Sequence, residues 1–246
     1  MTWPSPPDGC CGGTAEVVGR GRAAVELVAQ LRPTGTSQEA VLTELRRVLA
    51  SGRVRAGTVV PLDQIAAAFG VSRTPVREAL KSLIGEGLIR HNHRGGYLVH
   101  APTRDEFVEL YTIRSALEQA ALASAVPRAG EDDRQLVREI VERQRDALAS
   151  GDVSGWDAEG RAFHEALAAP CGMPRLCLLL RNAANSSAAA RPMQRLRLAR
   201  VRALHADHEA LAEAFTEGAA ERVVSLAGEH LHRVRNWVLD SFDTPS

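Results

Sequence analysis

Two short helical periodicities meet at a single glycine, and no other stretch limits the fold of this chain so tightly. Leu62, Ile65, Ala66 and Phe69 recur at helical spacing, as do Val76, Ala79, Leu80, Leu83 and Ile84. Gly70 stands between them, where a left-handed residue can end the first helix. Pro75 suits the first turn of the second, where a missing N–H costs little, and Ser72 or Thr74 can cap it. The pattern predicts helix, tight turn, helix. Opposite its apolar stripe the second helix carries Arg73, Arg77 and Lys81, four residues apart. Such a basic, hydrogen-bonding face fits a DNA major groove. Taken alone, it fits a solvated surface helix equally well.

The flanks favour DNA. Upstream, Val41, Leu42, Leu45, Val48 and Leu49 mark a helix that Gly52 stops. Downstream, Gly85 and Gly87 break the helical pattern. Leu88-Ile89-Arg90 and Tyr97-Leu98-Val99 then read as two strands around a basic tip, H-N-H-R-G-G. Helix-turn-helix followed by a basic β-wing is a winged-helix domain, here placed at residues 36–103. Over residues 37–100 the sequence resembles the GntR family of bacterial transcription regulators. The stretches that carry the likeness are A-A-A-F-G-V-S-R-T-P-V-R-E-A-L-K-S-L-I-G-E-G-L-I and R-G-G-Y-L-V. The resemblance implies that Arg73, Thr74 and Arg77 face the operator and that Gly95 lets the wing approach it. Lys81, His93 and Arg94 are the further DNA-contact candidates on the helix and the wing. Arginine pairs bidentately with guanine, a contact worth about 1–3 kcal/mol of discrimination.

Charge is distributed accordingly. The chain of 246 residues has no net charge, yet residues 36–103 hold nine Lys/Arg against five acids and residues 104–246 hold eighteen against twenty-two. A basic block and a mildly acidic one are expected if only the first meets DNA. Lys81 is the only lysine. Cys10, Cys11, Cys171 and Cys177 contain no C-x-x-C pair, so reduced thiols are expected. No apolar run approaches the about 20 residues needed to cross a bilayer. The N-terminus has neither a basic start nor an apolar stretch, so no membrane association and a cytoplasmic location are expected. Residues 1–35 open on Pro and Gly clusters and are expected to form a largely disordered arm with one or two helical turns.

After residue 103 every apolar periodicity is helical. An all-α antiparallel bundle is expected over 104–241, making the whole chain mostly α. Three of its eight histidines fall on inward rows. His208 stands with Leu204, Leu211 and Phe215, and His230 with Val223, Ala227, Leu231 and Val234; His164 follows Phe163 one turn before Leu167 and Ala168. His205 and His232 fall off the apolar stripes, and His91, His93 and His100 are expected to be exposed. One inward histidine is ordinarily a satisfied core residue. Three on three helices are good ligands for Zn²⁺, Ni²⁺ or Mn²⁺.

The bundle resembles the FCD-type effector domain of FadR-like regulators through I-R-S-A-L-E (113–118), A-F-H-E-A-L (162–167), H-E-A-L-A-E-A-F (208–215) and E-H-L (229–231). In metal-binding members of that family an Asp four residues before the first motif histidine is a fourth ligand. Here that position is Gly160. Two readings stay open: a divalent metal on His164, His208 and His230, or a metal-free pocket in which they donate hydrogen bonds. Arg114 matches an arginine that meets an effector carboxylate in relatives; an intrahelical pair with Glu118 accounts for it equally well.

The expected function is a ligand-responsive transcription regulator, of repressor type. It would bind a short inverted repeat of double-stranded DNA as a homodimer, with a small organic acid as effector and no catalytic role. The alternatives are a metal-dependent hydrolase fused to a DNA-binding domain, and an architectural DNA-binding protein that senses nothing.

Overall fold

A computed structural model describes residues 24–51, 54–92, 96–100, 102–188, 193 and 196–242. Two units follow one another. The first holds helix α1 (24–29), α2 (Gln38–Ala50), α3 (Leu62–Phe69), α4 (Arg73–Gly85) and the strands β1 (Ile89–Asn92) and β2 (Gly96–Val99). Gly70 adopts φ 63° at the end of α3, so the backbone turns sharply into α4 where a side chain would be strained. The strands pair antiparallel, with Ile89 opposite Val99 and Asn92 opposite Gly96. Val41, Leu45, Ile65, Val76, Leu80, Leu83 and Leu88 are fully buried between these elements. Leu27 and Leu31, expected in a disordered arm, belong to the same core. Arg47 holds the Gln30 carbonyl, and the Arg32 amide donates to Glu44.

The second unit is helical throughout its described residues: α5 (Arg104–Ala125), α6 (Glu131–Ala149), α7 (Val153–Ala168), α8 (Pro174–Ala188), α9 (Leu198–Glu217) and α10 (Ala220–Phe242). Thr103 starts α5 with a full capping box closed by Glu106. Helix α5 packs on α8 and α10, and α6 packs on α7 and α9. Short 3-10 turns at Val126–Arg128 and Ala169–Cys171 join the helices at one end. Cys171 and Cys177 are free thiols with their sulfurs 3.3 Å apart.

The bundle core is split in two. One apolar cluster gathers Leu122, Val137, Ile140, Phe163, Leu167, Leu211, Phe215 and Val223. The other gathers Phe107, Tyr111, Leu148, Trp156, Val201, Leu204, Leu231, Val234 and Val238. On five helices the inward residue between the two clusters is polar or missing a side chain: Arg114 and Glu118 on α5, Gln144 on α6, Gly160 and His164 on α7, His208 on α9, and His230 on α10. The candidate site is this polar layer.

The units touch at the end of α4. Ser186 of α8 donates its hydroxyl to the Glu86 carbonyl. The Glu86 carboxylate in turn grips Arg46 of α2 through two bonds of 2.7 and 2.6 Å.

Candidate functional site

Two surfaces carry the candidate residues. On the first, Val76, Ala79, Leu80 and Leu83 bury one face of α4 and leave Arg73, Thr74, Arg77 and Lys81 exposed on the other. Asp63 of α3 holds Arg73, Nη2 to Oδ2 at 2.7 Å, across the turn. Lys81 pairs with Glu78 at 2.8 Å and keeps 59% of its side chain exposed. His91 is exposed on β1 and packs on Tyr97 at 4.9 Å. His93, Arg94 and Gly95 lie outside the described residues. His100, expected to be exposed, is instead largely buried at 12% side-chain exposure, beside Arg90 and Glu106. Burial holds its pKa below the ordinary 6.5.

The second surface is internal. His164, His208 and His230 are all buried, and their candidate ligand atoms lie within 4.8 Å of one another. Helical spacing does the positioning, because residues three, four and seven apart share a face. Trp156, Gly160, Phe163 and His164 share one face of α7, while Leu204, His208 and Leu211 share one of α9.

Each imidazole is oriented through Nδ1. His164 Nδ1 meets Glu118 Oε1 at 2.5 Å, His208 Nδ1 meets Gln144 Oε1 at 3.0 Å, and His230 Nδ1 meets Asp207 Oδ2 at 3.2 Å. An Nδ1–H donated to an oxygen leaves Nε2 with its lone pair. His208 Nε2 and His230 Nε2 then face each other at 3.3 Å. Two bare lone pairs repel at that distance, and a cation between them removes the repulsion. Metal–nitrogen bonds of 2.0–2.1 Å at a tetrahedral angle put the nitrogens about 3.4 Å apart. The donor set therefore fits a borderline divalent metal, and the carboxylate and amide oxygens behind the rings are the outer partners such ligands use.

Electrostatics agrees with that fit. Burial holds His208 well below 6.5, with the other two rings adding to the effect. Burial outweighs Asp207 at His230 and takes its pKa to about 4. Both rings are neutral near pH 7, as ligands must be. Burial works to raise Glu118, but the His164 ring and Arg114 outweigh it, and its pKa falls to about 2. Burial pushes Tyr111 up to about 12, against the lowering effect of the neighbouring Arg114.

Arg114 does pair with Glu118, Nε to Oε2 at 3.3 Å, and it also lines two cavities. The larger, about 230 Å³, also contains Arg161, Arg181, His164, Leu180 and Asn185. The smaller, about 50 Å³, lies against Gly160, Trp156, His208 and His230. Around Gly160 the nearby acids are spoken for: Asp157 pairs with Arg161 at 2.8 Å and Glu159 with Arg143 at 2.9 Å. Gln144 and Asp207 reach the rings without standing out in the sequence, and Glu118, named there only as a partner for Arg114, reaches His164 as well. Gln144 carried a signal, since it continues the apolar row Val137, Val141, Leu148.

His205, expected off the apolar stripe, is buried on α9, and neither of its ring nitrogens has a hydrogen-bond partner. Among the described residues no helix is long and apolar enough to cross a membrane.

Comparison with known proteins matches both units. Bacterial regulatory proteins of the gntR family match residues 37–99, and the FCD domain matches residues 109–233. The uncharacterized HTH-type transcriptional regulator YdhC of Bacillus subtilis is 30% identical over 128 residues, 50% of this chain and 56% of YdhC. The gluconate operon transcriptional repressor of Bacillus subtilis is 32% identical over 127 residues, 52% of each chain. The chain thus spans about half the length of these curated relatives. Among solved structures, McbR/YncC of E. coli superposes with a TM-score of 0.75 at 22% identity, covering 84% of this chain and 98% of McbR. A putative GntR transcriptional regulator from Rhodococcus sp. RHA1 superposes with a TM-score of 0.72 at 26% identity, covering 82% of this chain and 97% of its own. A winged helix carrying a basic second helix, followed by a helical bundle with both matches in register, makes this chain a member of the GntR family of bacterial regulatory proteins with an FCD domain.

Proposed function

We propose that the chain is a ligand-responsive, DNA-binding transcription regulator of repressor type. Two copies form a homodimer and seat their α4 helices in successive major grooves of a short inverted repeat. Arg73, Thr74, Arg77 and Lys81 meet the operator from α4, and His93, Arg94 and Gly95 meet it from the wing. The observation that carries this reading is the exposed, four-residue-spaced cationic face on the second helix of a helix-turn-helix.

In the bundle, His164, His208 and His230 hold a divalent metal (Zn²⁺, Ni²⁺ or Mn²⁺), which when bound supplies a positive docking point for an oxygen anion. Arg114 supplies a second positive group to a small organic acid. Glu118, Gln144 and Asp207 orient the three rings. The effector alters DNA affinity only as far as it binds the DNA-competent and DNA-incompetent dimers unequally. A hydrolytic reading finds no support. Gly160 offers no base beside the rings, Glu118 is committed to His164 and Arg114, and the families matched are regulatory.

Arg77→Ala is expected to weaken binding to the operator by about 10-fold or more, while leaving the folded dimer intact, since a bidentate base contact is worth about 1–3 kcal/mol. Gel shifts on the chain's own promoter, with circular dichroism as the folding control, measure this. Undiminished sequence-specific binding by the variant removes Arg77 from the reading surface.

A further inference from the structure

Two sulfurs meet where α7 gives way to α8. Cys171 closes the 3-10 turn that follows α7, and Cys177 lies in the first turn of α8. Both are free thiols, and their Sγ atoms are 3.3 Å apart. Gly172, at φ 70°, makes the turn that brings them together. A disulfide bond is about 2.05 Å long, so the sulfurs need to close by only about 1.3 Å.

The two thiols are not equivalent. Cys171 is fully buried and firmly held. Its carbonyl accepts from Ser124 Oγ at 3.2 Å and from Arg128 Nη1 at 3.0 Å, and its sulfur accepts the Met173 N–H at 3.3 Å. Cys177 is half-buried and lines the larger cavity, so a small oxidant reaches it first. Burial and the Cys171 sulfur hold the Cys177 thiol above its ordinary pKa, while Arg181, one turn on, works against them. The thiolate is the reacting form, so the pair answers to abundant oxidant rather than to traces. With Cys171 anchored, closure is taken up by the first turn of α8. The same helix meets the end of α4 nine residues later, where Ser186 donates to the Glu86 carbonyl.

We propose that Cys171 and Cys177 form a reversible thiol switch, oxidised by a hydroperoxide, that shifts α8 against α4. The Cys177 thiolate attacks the terminal peroxide oxygen. The O–O bond breaks, a sulfenic acid forms on Cys177, and the departing oxygen takes up a proton. The Cys171 sulfur then attacks the Cys177 sulfur, the S–S bond forms, and the hydroxyl leaves as water. The pair loses two hydrogens and two electrons; hydrogen peroxide, taking these up, becomes two waters. The consequence for DNA rests on the reading of the chain as an operator-binding regulator, whereas the thiol chemistry does not.

The test uses the full chain with Cys10→Ser and Cys11→Ser, which leaves two thiols. After hydrogen peroxide, alkylation in denaturant and peptide mapping are expected to find a Cys171–Cys177 crosslink within one chain, removed by a phosphine reductant. Adding Cys171→Ser is expected to stop the reaction at a sulfenic acid on Cys177, which dimedone captures. Gel shifts on a duplex from the chain's own promoter are expected to show oxidation changing affinity by about threefold or more, the scale of a single net hydrogen bond, and adding Cys177→Ser to abolish that response. Two thiols still open to alkylation after peroxide overturn the switch, and so does a crosslink that leaves affinity unchanged. A reduced chain that ignores the duplex overturns the regulator reading instead, and the mapped crosslink then decides the thiol chemistry by itself.

Discussion

His205 shows how much one side chain can cost. It lies three residues before His208 on the inward face of α9, with both ring nitrogens out of water and unbonded. The Glu209 carboxylate is 3.6 Å from Nε2, beyond ordinary hydrogen-bond reach. Burial holds its pKa below 6.5. Below that value the unfolded chain binds a proton that the folded chain resists, so this residue's contribution falls as the pH falls. His205→Leu is expected to be at least as stable as wild type at pH 7.5, by about 1 kcal/mol. Its advantage should be larger at pH 5. Urea midpoints at the two pH values measure this, and an advantage that does not grow on acidification contradicts it. The three clustered histidines were legible in the sequence because each interrupts an apolar row. His205 was not, because it lies at the margin of its stripe, where neighbouring helices decide burial. Asp207 was invisible for a related reason: it reaches His230 on another helix, and spacing within α9 does not foretell that contact.

Helix α8 lines a cavity on each of two faces. Leu180, Arg181, Ala184 and Asn185 line the larger cavity of the bundle. Leu179, Asn182, Ala183 and Ser186 line a second cavity, about 520 Å³, against Gly85, Glu86 and Gly87 at the end of α4. A helix with a cavity on one side and the end of α4 on the other can carry a displacement between them. Ser186→Ala removes the hydroxyl that meets Glu86 but touches neither the α4 basic face nor the histidines. It is expected to leave divalent-metal uptake unchanged and to alter operator affinity by about threefold or more, the scale of a single net hydrogen bond. Operator affinity equal to wild type would mean that the units do not communicate through this contact. The helices themselves were largely readable from apolar period and from Gly70, and the wing from its two short apolar runs. The contact between α8 and α4 was not, since it joins residues 100 positions apart. The polar layer also fixes helix register. Sliding α5, α7, α9 or α10 by one turn, about 5.4 Å, would drive an imidazole or a carboxylate into one of the apolar clusters.

At the scale of the molecule, the acidic bundle and basic winged helix give one chain two electrostatic characters under a zero net charge. Operator affinity is therefore expected to fall steeply with salt, as phosphate neutralisation requires. Lys81→Ala is expected to weaken binding to operator and random duplex alike and to lower the log–log salt slope by about one per bound helix. Fluorescence anisotropy from 50 to 200 mM salt, as about that range suits such contacts, measures both. A slope unchanged by the substitution places Lys81 away from the phosphates. The charge division was legible from residue counts alone. The burial of Leu27 and Leu31 was not, because a short apolar run after Pro- and Gly-rich sequence reads as a tail until its partners on α2 are in place. The solitary lysine, exposed on α4, has a practical corollary. Amine-coupling chemistry has only this side chain and the α-amine to react with, so a sensor chip or fluorophore attached through the side chain is expected to cover the basic face of α4 and to mimic loss of DNA binding, whereas attachment confined to the α-amine, run near neutral pH where it is the more reactive of the two, is expected to spare that face.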